Sequence, residues 1–106
     1  NSLLNEPLLN WVDYEQAKAL VADGGIWLDV RLPDEHKSKH IKGSINIPLI
    51  FLRMKANSLD KTKKYVIYCD TGRRSSAASF LLNETDISSY VLTAGVDQAA
   101  VEDMEP

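Results

Sequence analysis

The runs Ile26-Trp27-Leu28-Asp29-Val30, Tyr65-Val66-Ile67-Tyr68 and Tyr90-Val91-Leu92-Thr93 constrain the fold of this chain most. All are too short for helices. The first follows a glycine pair and is apolar almost throughout, so it reads as a strand buried on both faces. The other two read as further apolar strands. Segments with helical spacing lie between them. Strands that alternate with helices argue for an α/β fold with a mainly parallel sheet. Ligands of such sheets gather at the C-terminal strand ends, where Asp29, Arg31 and Cys69 fall.

The intervening segments fill in this frame. Trp11-Val12 is long enough for a very short strand. Asp13 is a good N-cap, with Gln16 three residues on in a capping-box arrangement. Tyr14, Ala17, Leu20 and Val21 then recur at helical spacing until Gly24-Gly25 stops the helix. Pro33 and Asp34 can start a brief helical turn through Lys39. Ile45-Asn46-Ile47 is a small strand ended by Pro48, and Leu49 to Lys55 reads as a helix with Leu49, Leu52 and Phe51 facing in. Asn57 to Lys64 is a polar loop whose lysines are solvated. Ser75 to Leu82 reads as a helix packing through Ala77, Ala78, Leu81 and Leu82, and Val96 to Glu102 as a last one. Trp11 and Trp27 read as core anchors.

At 106 residues, 44% of them apolar and 25% charged, the chain has the size and composition of one globular domain. A net charge of −3, from 12 basic and 15 acidic residues, exerts no global pull on nucleic acid or an anionic membrane. One cysteine cannot close a disulfide within the chain, which fits a reducing compartment. The longest apolar run, Ile47 to Leu52, falls far short of the about 20 residues that span a bilayer, and no signal-peptide pattern opens the chain. The expectation is a cytoplasmic domain over residues 10–102 with neither nucleic-acid nor membrane partners. Residues 1–9 and 103–106 are read as flanks, either linkers of a longer protein, which would bring a fused partner domain, or residues added in cloning.

Chemistry concentrates after the second apolar run. Tyr65 to Tyr68 delivers the lone Cys69 into Asp70-Thr71-Gly72-Arg73-Arg74, and Ser75 follows at a helix start. Loop amides can form a nest, a helix N-terminus carries partial positive charge, and Arg73 and Arg74 add two full charges. Gly72 permits the backbone such a turn needs, while Asp70 tempers the field or orients an arginine. These features favour the thiolate, which is the nucleophilic form of cysteine, and the same cradle would hold an anionic substrate. A cysteine phosphatase needs C-x5-R. That arginine's place is taken here by Ser75, and Arg74 comes one residue early, so the loop is short for phosphate and better sized for a smaller sulfur species.

CDTGRRS resembles the C-x-x-G-x-R-S active-site loop of the rhodanese family of sulfurtransferases. Trp27-Leu-Asp-Val-Arg31 with Glu35, and His40-Ile-Lys-Gly-Ser-Ile-Asn-Ile-Pro48, resemble that family's D-V-R…E…G-H-I-x-G-A-x-N-I-P signature; Val91-Leu-Thr-Ala-Gly95-Val resembles its closing L-x-G-G segment. Lys39, Ser44 and Ala94 depart from the pattern, and Ala99-Ala100 stands where a tryptophan is common. The resemblance implies one rhodanese-like domain with a central five-stranded sheet flanked by helices on both faces. It implies ping-pong transfer: Cys69 takes the outer sulfur of thiosulfate or a related donor as a persulfide and passes it to cyanide or a thiol, with no metal and no organic cofactor. Asp70, Thr71, Gly72, Arg73, Arg74 and Ser75 are then the substrate-binding loop, with Arg74 in the place of the family's loop arginine. The alternative is a regulatory or sulfur-carrier domain of a larger protein with little free turnover.

Asp29 and Arg31 stand at the edge of that site. They read as structural support, with Glu35 as the expected partner of Arg31. His40 is read as a hydrogen-bonded structural histidine and His36 as solvent-facing.

Overall fold

The computed structural model of the chain describes residues 10–69, 73–93 and 104–105. Its elements follow in chain order: strand β1 (Trp11–Val12), helix α1 (Tyr14–Ala22), β2 (Ile26–Asp29), α2 (Pro33–Ser38), β3 (His40–Ile41), β4 (Ile45–Asn46), α3 (Leu49–Lys55) with a 3-10 turn (Ala56–Ser58), β5 (Tyr65–Tyr68), α4 (Arg73–Glu84), β6 (Ser89–Leu92) and β7 (Met104–Glu105). Five strands form a sheet in the order β1-β6-β5-β2-β4, and every pairing in it is parallel.

Parallel pairing forces the connections over the faces of the sheet, and period-2 alternation divides the strands between two cores. On one face, α1 covers Trp27, Val66, Tyr68 and Leu92 with Tyr14 and Ala17. On the other, α3 and α4 cover Leu28, Val30, Tyr65, Ile67 and Cys69 with Leu52, Ala78 and Leu82. Tyr65 to Cys69 are all buried, which is why no alternation shows in that run.

The capping box at α1 forms as the spacing predicts. Gln16 N–H donates to Asp13 Oδ1 at 2.8 Å, and Asp13 N–H donates to Gln16 Oε1 at 2.9 Å. Gly25 then permits a close approach, since a Cβ there would lie 2.8 Å from the Leu20 carbonyl oxygen.

Several expectations change. Trp11 is 51% exposed on the edge strand β1, so only Trp27, stacked on Tyr14 with centroids 5.9 Å apart, anchors a core. Phe51 lies on the outer side of α3, and Leu52 alone in that helix is fully buried. Helix α4 begins two residues before Ser75 and runs to Glu84, because the loop's arginines already have helical backbone. Met104–Glu105, in the segment expected to flank the domain, pairs antiparallel with β3, a strand whose two residues are too few to register as a pattern. The helix expected over 96–102 lies outside the described residues.

The strand order has a functional consequence. From β2 the chain crosses to β4 on one side, and from β5 it crosses through α4 to β6 on the other. The gap between β2 and β5 is therefore a topological switch point, and the crevice beyond their C-terminal ends is the place such sheets offer a ligand.

Candidate active site

Cys69 directly follows β5 at that switch point. Its side chain is fully buried, on the face of Ile67 and Ala78. Sγ lies 3.5 Å from Ser75 Oγ, and Ser75 is itself buried in the first turn of α4. The helix thus starts beside the sulfur, with a hydroxyl on it. Asp70, Thr71 and Gly72 lie outside the described residues, as does the side chain of Arg73.

The other predicted residues divide between the two faces of the sheet. Asp29 is in register with Tyr68, one residue short of Cys69, so its side chain points to the opposite face from the thiol. There Arg31 forks onto it, Nε to Oδ1 at 2.9 Å and Nη2 to Oδ2 at 2.8 Å, and Arg31 N–H also donates to Oδ1. The guanidinium lies 5.5 Å from the Tyr68 ring centroid and also donates to the Lys39 carbonyl. Asn46 donates to the carbonyls of Asp29 and Arg31. Buried charge is tolerable when paired and hydrogen-bonded in this way. The Tyr68 hydroxyl accepts from Ile41 N–H at 3.1 Å and lies 3.0 Å from Ser44 Oγ; burial, first of all, raises that phenol above its ordinary range.

Two partners differ from those expected. Arg31 pairs with Asp29, while Glu35 reaches 39 residues along the chain to Arg74: Nη1 to Oε1 at 2.8 Å and Nη2 to Oε2 at 3.1 Å. Pro33 sets Glu35 in the first turn of α2, where Leu32 N–H also donates to Oε1 at 2.9 Å. The Arg74 hydrogen bonds, followed by the one from Leu32, hold the Glu35 carboxyl down at about 2.

His36 is not solvent-facing: its Nδ1 lies 2.8 Å from Asp29 Oδ2, with 18% of the side chain exposed. His40 is hydrogen-bonded, Nδ1 to the His36 carbonyl at 2.8 Å, and the two rings stack with centroids 3.9 Å apart. Acceptor-only partners place the proton on Nδ1 in both rings. Motif spacing could not reveal these contacts, but strand parity could have separated Asp29 and Arg31 from Cys69.

Comparison with known proteins agrees with this geometry. The family profile described as "Rhodanese-like domain" matches residues 13–101. The chain is 32% identical over 77 residues to Thiosulfate sulfurtransferase PspE of Escherichia coli, covering 71% of this chain and 74% of that protein. It is 34% identical over 77 residues to the tRNA sulfurtransferase of Edwardsiella ictaluri, covering 69% of this chain but only 16% of that protein. Among solved structures, a rhodanese-related protein from Thermoplasma volcanium superposes with a TM-score of 0.76 at 31% identity, over 82% of this chain and 86% of that one. The fold, the matched segment and these relatives together show that the chain belongs to the rhodanese-like domain family.

Proposed function

We propose that this domain is a sulfurtransferase that moves a sulfane sulfur from thiosulfate, or a related small anionic donor, to cyanide or a thiol through a persulfide on Cys69. The observation that carries the reading is the placement of the lone cysteine at the switch point, with Sγ 3.5 Å from the hydroxyl of a buried serine in the first turn of α4. The relative named thiosulfate sulfurtransferase supports it.

The Cys69 thiolate attacks the outer sulfur of thiosulfate. A Cys69 S–S bond forms, the donor's S–S bond breaks, and sulfite leaves with the electron pair. Cyanide carbon, or a thiolate, then attacks the terminal sulfur; the new bond to the acceptor forms, the Cys69 S–S bond breaks, and the thiolate returns. Sulfur passes between nucleophiles with no net change in the protein's oxidation state, so the cycle calls for no metal or organic cofactor. The loop Asp70 to Ser75 is assigned to donor binding on its sequence, Arg73 supplying positive charge for the donor's negative group, while the Ser75 hydroxyl, 3.5 Å from Sγ, steadies the anionic sulfur. Full burial of Cys69 favours small donors over bulky ones.

The test is sulfur transfer from thiosulfate to cyanide by the purified protein. Wild type is expected to turn over and Cys69→Ser and Cys69→Ala to be inactive; retained activity in either variant contradicts the reading. A second reading, a sulfur-carrier domain with slow free turnover, is favoured by the small share of the tRNA sulfurtransferase that this chain matches. It predicts a stable extra sulfur on Cys69 with negligible release to cyanide.

A further inference from the structure

The substrate-binding loop carries two arginines, and the structure distinguishes one of them. Arg74 presents two N–H groups of its guanidinium to Glu35 in a bidentate fork. That geometry ties the guanidinium to α2 by two charge-assisted hydrogen bonds. Glu35 is in turn fixed by its own turn, through Leu32 N–H. The turn is anchored below by the buried Asp29–Arg31 pair, since Arg31 spans from Asp29 to the Lys39 carbonyl at the far end of α2. A continuous set of contacts thus runs from the end of β2, through α2, to the first turn of α4, where Ser75 meets the thiol.

We propose that Glu35 is a positioning residue for Cys69, a role that presupposes the sulfur-transfer reading: by clamping Arg74 it fixes the first turn of α4, and with it Ser75, against the sulfur. Arg74 is then a strut of the loop, held by Glu35. The clamp joins segments 39 residues apart and, with both side chains about a third exposed at 30% and 32%, it can be removed without opening the core.

Steady-state kinetics of Glu35→Gln, Glu35→Ala, Arg74→Ala and the double variant Glu35→Ala/Arg74→Ala test this. Each single variant is expected to lower kcat for thiosulfate-to-cyanide transfer roughly tenfold or more, as small misplacements of reacting groups do, with KM for thiosulfate little changed. The double variant is expected to be no worse than the poorer single, because both remove one contact. Isosteric Glu35→Gln keeps an acceptor for Arg74 and should fall between wild type and Glu35→Ala. If Arg74 instead bound the donor, Arg74→Ala would raise KM and Glu35→Ala, by releasing the cation, would lower it. That opposite pair of shifts overturns the proposal, as does a kcat unchanged in both Glu35 variants.

A second arm does not depend on turnover. Cys69 is the only cysteine, so its alkylation by iodoacetamide can be followed by mass. The rate at fixed pH is expected to shift several-fold in the same variants as the turn over the buried thiol loosens, and an unchanged rate in Glu35→Ala counts against the clamp. Should wild type fail to transfer sulfur at all, the sulfur-transfer reading fails while this arm still decides the role of Glu35.

Discussion

At the scale of single residues, the chemistry of charge is divided by the faces of the sheet. Asp29 and Arg31 satisfy each other on the face opposite the thiol. Replacing Asp29 with Ala would leave a buried guanidinium uncompensated, and such losses cost about 3–5 kcal/mol; chemical denaturation should show it as a lower midpoint. Glu35 behaves differently, being a third exposed. Its carboxyl sits at about 2 in the folded protein against an ordinary 4.5, so its pair with Arg74 contributes fully above pH 4.5 and fades as pH falls towards 2. Solvent screening limits that contribution to at most ~1 kcal/mol. Comparing wild type with Glu35→Gln between pH 7 and pH 2 should show a small stability gap that closes in acid; a gap that widens would contradict the assignment. The candidate nucleophile could be picked out in the sequence because the chain has one cysteine, placed at the end of an apolar run. The partner of Glu35 was not, because an ion pair between residues 39 apart depends on where two loops meet in space.

At the scale of elements, local signals carried far. Asp13 and Gln16 mark the start of α1 through hydrogen bonds that form within one turn. Where neighbours in space decide, the signal fails: Trp11 sits on an edge strand with one side open, and Phe51 is turned outward by the same helical period that buries Leu52. The junction of α1 and β2 makes a sharp prediction. A methyl group at Gly25 would meet the Leu20 carbonyl oxygen at 2.8 Å and the Lys64 carbonyl oxygen at 3.2 Å, both backbone atoms. Gly25→Ala should therefore cost about 1–3 kcal/mol, as overpacking does, and a thermal melt that matched wild type would refute this. On α4, Leu82 is fully buried against the sheet, and Leu82→Ala should cost about 2–5 kcal/mol.

At the scale of the whole molecule, strand order matters more than any one residue. The alternation of strands and helices pointed to a parallel sheet, and the order β1-β6-β5-β2-β4 adds what no local pattern contains: β2 and β5 are neighbours whose connections diverge. That places two features read separately along the chain, Asp29 to Arg31 and Cys69, at the ends of adjacent strands. Among the described residues, no helix is long and apolar enough to cross a membrane. The central claim is that Cys69 carries the transferred sulfur. The most direct measurement is the intact mass of the protein after incubation with thiosulfate and again after cyanide. The account predicts a gain of one sulfur atom, absent in Cys69→Ser, that cyanide removes. A mass that thiosulfate leaves unchanged, or a gain that persists in Cys69→Ser, would contradict it.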